Sequence, residues 1–86
     1  MNRPLTELDH RLAAELDHAR DMLIMMGDDL SGDFAVVSRH GSTLQAVDIV
    51  SQMLGHIANV VRADDRPEAV ARIGMCDLKS KLSAAA

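Results

Sequence analysis

The stretch Ser42–Val61, STLQAVDIVSQMLGHIANVV, carries more apolar surface than a chain of 86 residues can hide by itself. On a 3.6-residue period Leu44, Val47, Val50, Leu54, Ile57, Ala58 and Val61 share one face, which Ile49, Met53 and Val60 widen around the cylinder. Only Gln45, Asp48, Gln52, His56 and Asn59 remain as a polar strip. A helix apolar over more than half its circumference requires more than one neighbour. The expectation is an all-α chain: an antiparallel helical hairpin with short C-terminal helices, two copies of which pair into a four-helix bundle. Leu44, Val47, Val50, Leu54, Ile57 and Val61 are expected to supply its core and dimer contact.

Size points the same way. A domain this small buries only about 60–65% of the surface of its unfolded chain, and usually needs a disulfide, a metal or a partner to be stable. Cys76 is the one cysteine, so no disulfide can form within the chain, and Phe34 is the one aromatic residue. Yet 48% of the residues are hydrophobic. Association between copies is the natural use for them. The net charge of −4 argues against nucleic acid, which needs a basic face. No basic amphipathic segment suggests a membrane surface, and the apolar run Met22–Met26 is too short to span a bilayer. MNRPLTELDH lacks a signal peptide's apolar run, and a lone thiol suits a reducing compartment. The expected location is therefore cytoplasmic.

Along the chain, one domain with four helices is predicted. Pro4 suits a first turn, Thr6 with Asp9 resembles an acidic capping box, and Leu5, Leu8, Leu12, Leu16, Ala19, Leu23 and Met26 recur at spacings of three and four. This predicts a helix over about 4–26 with one dry side, Glu7–Arg11 as an i,i+4 pair and Gly27 as a left-handed cap. Asp28–Asp33 reads as a turn, with Ser31 or Asp33 capping a second helix over about 33–63. That helix either runs continuously through Gly41, keeping its apolar face in phase, or restarts at Ser42, where Ser42-Thr43-Leu44-Gln45 fits a capping box. The continuous form is the expectation. Asp64 or Asp65 and Pro67 start a short helix over about 66–73, and Met75, Leu78 and Leu82 suggest another over 76–83.

Candidate chemistry is sparse. Asp48 and Gln52 lie one turn apart on one helical face, so an acid and an amide could engage a common ligand. In this Asp-x-x-x-Gln pair the chain resembles the chemotaxis phosphatases that dephosphorylate response regulators, which are dimeric helical bundles. The family's motif reads roughly Gln-Asp-Leu-Thr-Gly-Gln, against Val47-Asp48-Ile49-Val50-Ser51-Gln52 here, so only the Asp and the Gln match. The resemblance implies that Asp48 would meet the regulator's cation or lysine and that Gln52 would position the attacking water. His40 raises phosphotransfer, but it falls near the apolar arc with Val37 and Leu44 and is expected to be a buried or half-buried structural residue.

The polar strip Gln45, Asp48, Gln52, His56 and Asn59 is short-chained, with Ser38, Gly41 and Gly55 beside it, where a solvated helix would carry Glu, Lys and Arg. Such a strip permits close approach and hydrogen bonding across a helix contact, so it is read as an interaction surface for another protein or a second subunit. Cys76 and the methionines Met22, Met25, Met26, Met53 and Met75 are expected to pack in the core, although the methionines could line a ligand pocket. No metal or cofactor site is predicted. The expected function is a non-catalytic protein–protein interaction or regulatory module that homodimerises; the alternatives are a bacterial two-component or phosphorelay accessory and a small-ligand-binding bundle.

Overall fold

The computed structural model describes residues 4–85, and every regular element among them is helical. Four helices follow in order: α1 (Glu7–Ser31), α2 (Phe34–Arg62), α3 (Arg66–Ala71) and α4 (Cys76–Ser83). The two long ones form an antiparallel hairpin: Gly27 stands against Val47 near the turn, and the Arg62 guanidinium reaches the Ala13 carbonyl and the Asp17 carboxylate at the other end.

Each start has a local cause. Thr6 caps α1: its hydroxyl accepts from the Asp9 amide at 3.1 Å, and the Asp9 carboxylate accepts from the Thr6 amide at 2.9 Å. Pro4 lies before that cap, outside the helix. Asp33 caps α2 by accepting from the Ala35 and Val36 amides, and Asp65 caps α3 by accepting from the Glu68 amide. Glu7 and Arg11 form the exposed pair expected from their spacing.

Two boundaries differ from those read in the sequence. α1 does not stop at Gly27; it continues to Ser31, and none of the described glycines has a positive φ. Gly27 lies inside the helix on the side facing α2, where an added Cβ would meet the Val47 side chain. The second long helix is not continuous. His40 leaves the helical region, with φ −127° and ψ 27°, so the piece from Phe34 is set at an angle to the piece that begins at Gly41. The sequence's other alternative, a break beside Gly41, is the one adopted. His40 is exposed at this kink rather than buried along an apolar arc.

The most buried residues of the hairpin contact carry small side chains. Ala58 is completely buried, Ala13 nearly so, and Ser51 tucks its hydroxyl onto the Val47 carbonyl at 2.9 Å. A second cluster forms where Val70, Ile73 and Leu78 of the C-terminal segment close over Met53, Ile57 and Val60 of α2. Arg66 locks that corner, donating through one Nη to Asp9 at 2.9 Å and to the Val61 carbonyl at 2.8 Å. Asp9 thus serves the α1 cap and the α2–α3 corner together. The resulting body is elongated, with extents of 50 × 26 × 14 Å.

An alanine at Gly27 separates the two accounts of that position. Its Cβ would meet Val47 at 3.5 Å, an ordinary van der Waals contact. Gly27→Ala is expected to raise stability by about 0.5–1 kcal/mol through helix propensity, whereas a left-handed cap would make it destabilising. Urea denaturation followed by circular dichroism reads the sign.

Candidate interaction surface

Leu16, Leu23, Leu44 and Val47 enter the hairpin contact, but the exposed apolar side chains of α1 lie beside it. The α1 residues turned toward α2 are Asp9, Ala13, Leu16, Arg20, Leu23 and Gly27, while Leu8, Leu12, Met26 and Leu30 are exposed. At about 100° per residue, Leu8, Leu12, Ala19, Met26 and Leu30 fall within about 40° of one another and about 80° from the contact line. On α2 the contact runs through Leu44, Val47, Ser51, Gly55 and Ala58. Val50, Leu54, Ile57 and Val61 are offset from it by about 90° in the same rotational sense. Antiparallel helices wind oppositely in space, so equal offsets bring both stripes to the same side of the hairpin.

On that side the α1 stripe and Val50 stay largely exposed, while Leu54, Ile57 and Val61 are half-buried and Ile57 also meets the C-terminal cluster. Leu8 keeps 64% of its surface, Met26 57% and Val50 43%. Folded monomers of 9.3 kDa expose about 5,000 Å². This chain exposes 6186 Å². The excess, on the order of 1,000 Å², matches the area that one partner contributes to a standard protein interface, about 800 Å².

The residues expected to be core are placed accordingly. Leu44, Val47, Leu54, Ile57 and Val61 are half-buried and Val50 is exposed; the fully buried apolar residues are Ala13, Ala58, Val70, Ile73 and Leu78. Met53 and Met75 do pack against the C-terminal cluster. By contrast Met22, Met25 and Met26 are exposed, as are Leu30 and Phe34, the last at 86%. The expectation that the methionines fill the core fails at this end because α3 and α4 fold back only over the far half of α2. A clue was present: the three methionines adjoin the Asp28–Asp33 turn, the part of a hairpin most distant from any C-terminal segment. Cys76 is likewise exposed, not packed, on a groove of about 430 Å³ shared with Ile49, Met53, Met75, Leu78 and Lys81.

The polar strip lies on the flank of α2 opposite Val50 and Leu54. Gln45, Asp48, Gln52 and Asn59 are exposed, and His56 is half-buried. His56 and Asn59 border a groove of about 550 Å³ closed by Asp64, Asp65, Glu68 and Arg72. Gly55, at the edge of the strip, is occupied from within the chain: the Arg20 side chain crosses it at 3.4 Å while its guanidinium pairs with Asp17 and Asp21. Asp48 and Gln52 stand a turn apart on the uninterrupted part of α2, with no hydrogen bond or ion pair to another described residue. Among the described residues no three His, Cys, Asp or Glu side chains gather as a metal would require, and no helix is long and apolar enough to cross a membrane.

Comparison with known protein families, with characterised proteins and with solved structures finds no match to this chain.

The exposed position of Cys76 has a direct readout. Ellman's reagent is expected to titrate the thiol of the folded protein without denaturant, at a rate within about threefold of that in urea. Protection by tenfold or more would place it in a covered site.

Proposed function

We propose that this protein is a non-catalytic interaction module that works as a homodimer, its two copies joined through the apolar side of the hairpin. The observation that carries this is the bare apolar stripe of α1, where Leu8, Leu12, Met26 and Leu30 stay exposed on one side of the hairpin, whereas stable domains set at least two layers face to face. A second copy supplies the missing layer from an identical face and completes a four-helix bundle. The polar strip of Gln45, Asp48, Gln52 and Asn59 then points away from the shared core on both subunits. A further protein would meet it twice, and two linked weak contacts bind far more tightly than one.

Equilibrium sedimentation tests the dimer. The protein is expected to be dimeric at tens of micromolar. Leu12→Lys combined with Met26→Lys places charge where apolar contact is expected, and should weaken association at least tenfold, about 1.4 kcal/mol, with helix content retained. A well-folded wild-type monomer at that concentration would reject the proposal.

Asp48 and Gln52 favour a second function, because both are solvent-facing, unengaged and carried on rigid helix: an accessory that dephosphorylates a response regulator. In it Gln52 orients water and Asp48 engages the regulator's cation or lysine. Loss of acyl phosphate from phosphorylated regulators, faster with the protein than without it and abolished by Gln52→Ala, would support this role. Unchanged decay across a panel of regulators removes it.

A further inference from the structure

Resting on the dimer proposed above, we propose that the two copies pack α1 against α1, antiparallel, about a two-fold axis that passes beside Ala19. The spacing of the uncovered stripe carries this. Leu8 and Leu30 stand eleven residues to either side of Ala19, Leu12 and Met26 seven, and the half-buried Leu16 and Leu23 three and four. An isologous contact demands such self-complementarity, since each residue meets its counterpart from the other end of the same stripe. Rotation about Ala19 sets Leu8 on Leu30 of the second copy and Leu12 on its Met26. At the crossing itself stands an alanine, whose small side chain lets two helix axes come close.

The other helix gives the same centre independently. Its apolar residues on that side, the exposed Val50 and the half-buried Leu54, Ile57 and Val61, are symmetric about the interval between Gly55 and His56, although Ile57 also borders the C-terminal cluster. Gly55 lies against Arg20, so this midpoint stands level with Ala19 along the hairpin. One axis therefore satisfies both stripes, and an axis at any other level would leave leucines bare at one end. Charge agrees. Arg11 and Asp29 occupy the same outer margin of α1 near its two ends, and the rotation brings Arg11 of each copy beside Asp29 of the other. The covered face, up to 50 Å long and 26 Å wide, suffices for an interface of on the order of 1,000 Å² per subunit.

Disulfide trapping reads this geometry. In a Cys76→Ser background, Ala19→Cys lies on the axis and is expected to give nearly complete covalent dimer under mild oxidation, while Asp21→Cys, on the opposite flank, stays unlinked. Mixed Leu12→Cys and Met26→Cys subunits should link to each other at least fivefold more than either links to itself. Circular dichroism of each variant verifies that it is folded. A sedimenting dimer that does not link through Ala19→Cys overturns the α1 seam and points to α1 lying on α2 of the second copy, leaving the dimer itself standing. A monomer in sedimentation removes both.

Discussion

The seam between α1 and α2 governs what the rest of this molecule can do. Its buried residues are the small Ala13, Ser51 and Ala58, with Leu16, Leu23, Leu44 and Val47 half-buried beside them, so the contact buries little apolar area. At about 25 cal/mol per Å², such a seam orders the hairpin without giving it much hydrophobic stabilisation. The exposed bulky residues of α1, Leu8, Leu12, Met26 and Leu30, stand on its flank.

Ionic contacts then hold the ends of the seam. Arg62 spans to the Ala13 carbonyl and to Asp17, and Arg66 spans to Asp9, so the end of the hairpin remote from the turn is tied by two guanidinium groups from α2 and the segment after it. The Asp9 pair is sheltered, with that carboxylate only 7% exposed, and losing one partner would strand a charge there. The turn end has no equivalent. It carries Met25, Met26, Leu30 and Phe34 in the open, and its second helix bends at His40. The sheltered ionic contacts and the buried C-terminal cluster are therefore concentrated at the end closed by α3 and α4.

Much of the local structure was legible because its causes are local. Thr6 with Asp9, Asp33 ahead of α2, Asp65 ahead of α3 and the i,i+4 pair of Glu7 and Arg11 each act within four residues, and each forms as its spacing indicates. Gly27 misled because a glycine after an apolar run marks a helix end in isolation, while here it serves an inter-helix contact that no local pattern reports. His40 misled similarly: helical phase assigned it to apolar company, but phase ends at a kink.

The polar strip on α2 was visible in the sequence as residues, and the structure adds that it faces away from the uncovered apolar side. By itself the sequence determined the all-helical class, the caps that begin three of the helices and the surplus of apolar residues, since periodicity and capping are properties of short segments. Only the tertiary structure decided which stripe goes inside. The exposed apolar stripe of α1 and the line through Ala13, Leu16 and Leu23 lie about 80° apart on one helix, and either could have faced α2. Packing of α1 on α2, tied at one end by Arg62 and Arg66, buried Ala13 and Ala58 and left Leu8, Leu12, Met26 and Leu30 facing outward.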